Sequence, residues 1–145
     1  MTKELIVNCE TGETQLVDAT PAPLAEQKAN LWASAKALRD QKIDAGANVP
    51  GIGRFDSDTP AHINIIGAVT GAQMALAAGQ PFSVPWKLQD NSVTTLSAAQ
   101  MLFVGQTVLA HVTACHQRAQ IIGIAIDAAQ DEAALSAIDI GAGWP

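Results

Sequence analysis

The amino-acid sequence predicts an α+β protein that is mainly α-helical: a three-helix arrangement with one long C-terminal helix, short β-hairpins and an N-terminal hairpin arm. The first observation is a run of apolar residues at steps of three and four between Leu96 and Ala129, which is the spacing of one long helix. The second is a pair of earlier segments bracketed by helix-start and helix-end residues. The third is a set of short apolar runs, separated by turn residues, that have the length of β-strands.

Residues 1–20 are predicted to form a docking arm, followed by a helical domain over residues 21–145. Two short alternating apolar runs flank a turn around Gly12, which is the pattern of a β-hairpin. A lone hairpin is marginally stable in water, so we expect it to pack on the helices or to add to the sheet of another chain. The arm residues expected to dock are Leu5, Val7, Leu16 and Val17.

The first helix is predicted from about Pro23 to Ala45. It ends at Gly46, because glycine readily takes the left-handed conformation of a helix end. Between Val49 and Asp56, proline and glycine residues predict a short turn followed by a strand.

The second helix is predicted to have Thr59 as its N-cap and Pro60 at its first position, and to end before Gly79. Its apolar residues form a narrow face at helical spacing. This face consists of Ile63, Ile66 or Gly67, Thr70, Met74 and Ala77.

A hairpin over residues 81–96, turning at Asp90–Asn91, leads into the long helix, for which Ser97 is the predicted N-cap. A short helix over residues 132–138, capped by Asp131, closes the chain.

The long helix is predicted to mediate self-association. Arg118 is its only permanently charged residue between Leu96 and Ile126, so the helix needs burial on more than one side. A chain of 145 residues has little else to cover it, so we expect a homo-oligomer, with a trimer as the favoured state. The predicted interface is the stripe Met101, Val104, Val108, Val112, Cys115, Ala119, Ile122 and Ile126.

Composition excludes several classes of partner. The net charge is −6 and the sequence contains no basic cluster, so binding to nucleic acid or to an anionic membrane surface is not expected. Glutamine, threonine and histidine residues interrupt the apolar part of the long helix, so it is predicted to be a core helix rather than a membrane span. Cys9 and Cys115 are far apart in sequence and are expected to be reduced, although a disulfide between them stays open.

No set of residues has the spacing of a catalytic, cofactor or metal site, so the protein is predicted not to be an enzyme and to hold no cofactor. His111, Cys115 and His116 come nearest, because residues four apart on a helix can share a metal ion and a histidine can activate a thiolate. His111 and His116, however, lie about 140° apart around a helix and cannot both face one ion. We therefore interpret Cys115 as a core residue, with a small metalloenzyme kept as an alternative.

The order of motifs along the chain resembles a domain family of unknown function that occurs in tail, tail-fibre and related virion proteins of tailed bacteriophages. The resemblance covers about residues 31–145. The motifs that carry it are Trp32–Lys36–Arg39–Asp40, Phe55–Asp56–Ser57–Asp58, Ile63 with Gly67–Ala68, Trp86 with Asp90–Asn91, Leu96–Ser97, His111, Ile126–Asp127–Ala128–Ala129 and Gly143–Trp144–Pro145.

The resemblance implies a non-enzymatic structural component of a phage tail, at the baseplate or in a tail fibre. Such a protein would oligomerise through the long helix, dock on other tail proteins through the arm, and reside in the virion after assembly in the host cytoplasm. The family brings no catalytic residues. The alternative is a tail-fibre assembly chaperone that is absent from the mature virion, and binding to a host receptor also stays open.

Overall fold

A computed structural model of the chain describes residues 3–7, 9, 13–18 and 22–145. Within these residues the fold is mainly helical, with four helices and three antiparallel strand pairs. The helices are α1 (Leu24–Asp44), α2 (Thr59–Ala77), α3 (Ala98–Ala128) and α4 (Glu132–Ser136). The strands are β1 (Lys3–Val7), β2 (Thr14–Asp18), β3 (Ala47–Val49), β4 (Gly53–Phe55), β5 (Ser83–Lys87) and β6 (Val93–Ser97). The predicted fold class is confirmed.

Helix α3 is the element on which the others pack. It has 31 residues, so it is about 46 Å long. Helix α1 runs antiparallel to the C-terminal half of α3. Lys28, near the start of α1, contacts Asp127 near the end of α3, while Lys42, near the end of α1, contacts His111 nearer the middle of α3. Helix α2 packs along its N-terminal half, where Gly105 lies against Val69. The two shorter helices therefore follow one another along the same side of α3.

This arrangement produces two apolar clusters. The first joins α2, the hairpins β3–β4 and β5–β6, and the N-terminal half of α3, with Phe55, Leu96 and Met101 completely buried. The second joins α1, α4, the C-terminal residues and the other half of α3 around Ile122 and Ile126. One long helix thus supplies both clusters.

The stripe predicted to form an oligomer interface lies instead in the core of a single chain. Its members Met101, Val104, Val108, Cys115, Ala119, Ile122 and Ile126 are buried, and Val112 is half-buried. The periodicity correctly identified the face that needs cover, but the chain's own α1 and α2 provide that cover. A contact between copies would have to use other surfaces.

Helix boundaries follow the capping residues. Ser97 and Gln100 form a capping box, in which each side chain accepts a hydrogen bond from the backbone N–H of the other residue, so the predicted start of α3 is confirmed. Gly46 (φ +97°) has the predicted left-handed backbone at the end of α1. The N-cap of α2 is Asp58 rather than Thr59, because the Asp58 carboxylate accepts a 2.9 Å hydrogen bond from the backbone N–H of Ala61.

The narrow apolar face identified in the sequence of α2 points outward. Ile65 and Ala72 are the buried residues of α2, whereas Ile63, Ile66 and Met74 are exposed. Helix α2 has apolar residues on all sides, so periodicity does not decide which side faces inward. The inward side of α2 is the side that packs closely against α3, and this side carries small residues and Val69.

The hairpins are partly as predicted. Strands β1 and β2 pair antiparallel with Leu5 opposite Leu16, while most of the predicted turn and part of the connector to α1 lie outside the described residues. Residues 47–55 form a hairpin of two strands rather than a turn and one strand. Strands β5 and β6 pair as predicted, with Asn91 (φ +67°) in the turn, although Leu96 lies in β6 and not in α3.

Candidate functional site

The outward side of α2 is an uncharged apolar surface. The chain has no aspartate, glutamate, lysine or arginine from Thr59 to Trp86. Ile63, Ile66 and Met74 are between 64% and 68% exposed, which is unusual for large aliphatic side chains repeated along one helix. We call the following set the α2 face: Ile63, Ile66, Gly67, Thr70, Met74 and Ala77.

A groove of about 180 Å³ runs between α2 and α3 next to this face. Ile66 of α2 and Leu109 of α3 line its two sides, and Gly105 of α3 also lines it. A Cβ atom added to Gly105 would lie 2.7 Å from Val69 Cγ2, so only glycine permits this approach without a shift. His62 Nε2 at the groove is buried and has no hydrogen-bond partner in the described part of the chain.

A second apolar stripe lies on the outward side of α3. Its members follow one another at alternating steps of four and three, and none of them is charged. Ile121 and Ile124 are 58% and 63% exposed, and Phe103 is also exposed. We call the following set the α3 seam: Phe103, Thr107, Ala110, Ala114, Gln117, Ile121, Ile124 and Ala128.

The α3 seam is opposite the buried stripe. Residues two apart in sequence lie about 200° apart around a helix, so Phe103 is opposite buried Met101 and Ile121 is opposite buried Ala119. In the sequence this signal is a second run of uncharged residues at steps of three and four, which lies two positions after the buried stripe except at Thr107. It was missed because one helix was assigned only one apolar face.

Helix α3 is long and apolar enough to cross a membrane, judged by length and composition alone. A core helix of a soluble protein has the same properties, so a single helix of this kind is weak support for a membrane protein. Here one side of α3 packs against α1 and α2, and Arg118 donates hydrogen bonds to the carbonyl oxygens of Asp139 and Ala142.

The His111, Cys115 and His116 set has structural contacts. His111 Nε2 lies 3.1 Å from the carbonyl oxygen of Lys42, so this nitrogen donates a hydrogen bond that joins α3 to α1. Cys115 is buried, and this burial raises the pKa of its thiol, which disfavours the thiolate that a nucleophile needs. Among the described residues, no group of three or more His, Cys, Asp and Glu is placed to hold a metal ion.

The Asp56–Ser57–Asp58 segment makes hydrogen bonds to both α1 and α2. The buried Ser57 hydroxyl donates a hydrogen bond to the carbonyl oxygen of Ile43 near the end of α1, and Asp58 caps α2. Arg54 donates to the carbonyl oxygens of Ala45 and Gly46, so its charge complements the negative end of α1. These polar residues hold the helices in place.

The tryptophans act as packing anchors. Trp32 lies against Gly123, where an added Cβ would be 3.3 Å from its ring. Trp86 packs beside Phe55, with ring centroids 6.1 Å apart. Trp144 donates its indole N–H to the carbonyl oxygen of Ile140 at 2.8 Å.

The predicted docking arm presents apolar side chains to solvent. Leu5 and Val7 on β1 are exposed, and β1 pairs with the strand that contains Leu16 and Val17. Cys9 is exposed and Cys115 is buried, and both are free thiols.

Comparison with known proteins identifies the chain by family. No curated protein and no solved structure matches it. Residues 26–142, which include α1, α2, α3 and α4 almost entirely, match the family described as Domain of unknown function (DUF4376). The chain therefore belongs to the DUF4376 family.

Proposed function

We propose that this protein is a non-enzymatic structural component of a bacteriophage tail, at the baseplate or in a tail fibre. The observation that carries the proposal is the exposed apolar surface formed by the α2 face and the α3 seam. Large exposed apolar surfaces on small proteins are typical of protein–protein contacts. The resemblance to phage tail proteins supplies the biological setting.

The chemistry of this surface favours a protein partner. Neither the α2 face nor the α3 seam contains a lysine or arginine, so neither has the charge needed for nucleic-acid phosphates or anionic lipid headgroups. Apolar helix faces with threonine and glutamine between the aliphatic residues are suited to packing against another helix. Partners of this kind are other tail proteins and further copies of the chain.

The N-terminal hairpin contributes a second contact in this proposal. Leu5 and Val7 are exposed on β1, and the sheet of β1 and β2 has only these two strands in the part of the chain that the structure describes, so each strand presents an edge there. Such an edge can pair with a strand of a neighbouring tail protein. Replacing both residues by glutamate is expected to reduce incorporation into virions and to leave thermal stability unchanged.

The second candidate function is a tail-fibre assembly chaperone. The same exposed apolar surface would bind unassembled fibre chains and release them later, so the chaperone would be abundant during infection and absent from the mature particle.

The test uses a charged α2 face. Ile66→Glu with Met74→Glu places two carboxylates on that face, and burying them against a partner is costly. We expect the amount of this chain in purified virions, measured by mass spectrometry, to fall about tenfold or more.

Ala33→Glu with Gln41→Glu is the matched control, because it introduces two carboxylates at the same eight-residue spacing on an exposed side of α1. This control should enter virions at the wild-type level. Wild-type incorporation of the α2-face variant would contradict the proposal.

A further inference from the structure

A polar cavity of about 330 Å³ lies where the end of α1 meets the hairpin β3–β4 and the middle of α3. This volume falls within the range of small-molecule sites. Three basic side chains line the cavity: Lys42 of α1, Arg54 of β4 and His111 of α3. They come from three separate elements, so the fold assembles a basic group that the sequence does not contain as a cluster.

The positive charge of this cavity has no neighbouring carboxylate to neutralise it. Among the described residues, no aspartate or glutamate lines the cavity, although the chain has 14 acidic and only 8 basic residues. Asp40 and Asp44 are each two residues from Lys42 on α1, so they lie nearly opposite to it around the helix. Asp56, two residues after Arg54, lines a different cavity.

Arg54 divides its donors between the end of α1 and the cavity. Its Nε and Nη2 groups donate to the carbonyl oxygens of Ala45 and Gly46 at 3.0 to 3.2 Å, which fixes the guanidinium. Its Nη1 group donates to no described residue, so two N–H donors remain for a ligand. The Lys42 ammonium and the side-chain amide of Asn48, which also line the cavity, likewise donate to no described residue.

Contact between α1 and α3 places the other two basic groups. His111 Nε2 donates to the backbone carbonyl oxygen of Lys42 at 3.1 Å, so the imidazole is held at the cavity. Cys115 lies one turn further along α3; burial raises the pKa of its thiol, and the positive charge of Lys42 opposes this rise. The Lys42 ammonium therefore lies on the side of α1 that faces α3.

We propose that this cavity binds the phosphate group of a small phosphate monoester. Such a group carries a charge of about −1.5 to −2 at pH 7 and three strong acceptor oxygens. Lys42 and Arg54 supply two positive charges, from which the end of α1 subtracts about half a charge. The charges of ligand and cavity therefore match, whereas a single carboxylate would leave part of the positive charge unpaired. The cavity also has room for an organic group beyond the phosphate.

Nuclear magnetic resonance titration of the ¹⁵N-labelled full chain tests this site at constant ionic strength. The probes are inorganic phosphate, glucose 6-phosphate and acetate. We expect both phosphates to shift the amide resonances of β3 and the imidazole resonances of His111. Acetate should bind at least about fivefold more weakly than phosphate, because it carries less charge and fewer acceptor oxygens.

Two lysine variants form a matched pair. Lys42→Gln removes one charge from the cavity and retains a good helix former, so we expect the Kd for inorganic phosphate to rise about tenfold or more. Lys28→Gln makes the same change in net charge at another half-buried lysine of α1, about 21 Å along the helix from Lys42. Its Kd should stay within about twofold of the wild type, because salt screens charge over this distance.

Asn48→Ala gives a second variant that keeps every charge. Asn48 is exposed on β3 opposite Arg54, so the replacement leaves the core untouched and removes an uncharged donor. We expect the Kd for inorganic phosphate to rise about threefold or more. Circular dichroism verifies that each variant is folded.

Three results would overturn the inference. The site would be excluded if neither phosphate shifted the resonances of β3 and His111 at about 50 mM, where even a weak site is occupied. Equal weakening by Lys42→Gln and Lys28→Gln would show attraction by the overall charge and not by this cavity. Acetate that binds as tightly as phosphate would contradict the assignment to a phosphate group. The inference does not depend on the proposed tail role, which is judged separately by incorporation into virions.

Discussion

Replacing Ile122 by alanine tests the orientation of α3, because the neighbouring Ile121 provides a matched control. Ile122 is 1% exposed and belongs to the cluster around α1 and α4, whereas Ile121 is 58% exposed. Ile122→Ala leaves a cavity, so we expect the free energy of unfolding to fall by about 3 kcal/mol. Ile121→Ala loses little buried area and gains helix propensity, so its free energy of unfolding should change by no more than about 0.5 kcal/mol.

Urea unfolding followed by circular dichroism measures both variants, at concentrations too low for self-association. Equal losses of stability in the two variants, or a larger loss for Ile121→Ala, would refute the assignment of an inward and an outward side to α3.

Three further predictions concern capping, a turn and a thiol. Ser97→Ala removes the capping box of α3 and should cost about 1 kcal/mol in urea unfolding, and no loss would contradict the role of the cap. Gly46→Ala should lower the free energy of unfolding by about 2 kcal/mol or more, because the backbone is held at φ +97° and the added Cβ would lie 2.8 Å from a backbone oxygen. Gly51→Ala, where the added Cβ meets open space, should lower it by about 1 kcal/mol. Equal losses in the two variants would contradict this reasoning. In the native protein a thiol reagent should modify the exposed Cys9 rapidly and the buried Cys115 only after unfolding. Burial raises the pKa of the Cys115 thiol and keeps it protonated, so it reacts slowly. Rapid modification of both cysteines would contradict the burial of Cys115.

The sequence predicted the structure best where a local feature, such as a capping hydrogen bond or a left-handed glycine, and the spacing of the buried residues indicate the same element. The spacing from Met101 to Ile126 requires one long helix with an apolar side, and Ser97 marks its start through a side-chain hydrogen bond that depends only on neighbouring residues. Gly46 marks the end of α1 for a similarly local reason, its left-handed backbone. Elements with such local determinants were predicted close to their observed boundaries.

Tertiary packing decided what the sequence left open. An apolar stripe requires cover, but its spacing does not say whether the same chain or another chain provides it, so the buried stripe of α3 was assigned to an oligomer interface. Helix α2 is apolar on all sides, and contact between Gly105 and Val69 selects its inward side. The candidate site lies on the remaining sides of both helices, and residue spacing alone does not show that these sides are exposed.

Quantitative mass spectrometry of purified wild-type virions, counting this chain against the major tail-tube protein, tests the proposed structural role most directly. The proposal predicts a fixed ratio between the two proteins, and assembly into a ring around the tail axis would make this ratio a simple multiple set by the symmetry of the tail. Absence of the chain from virions, together with its abundance in infected lysate, would contradict a structural role and favour the assembly chaperone.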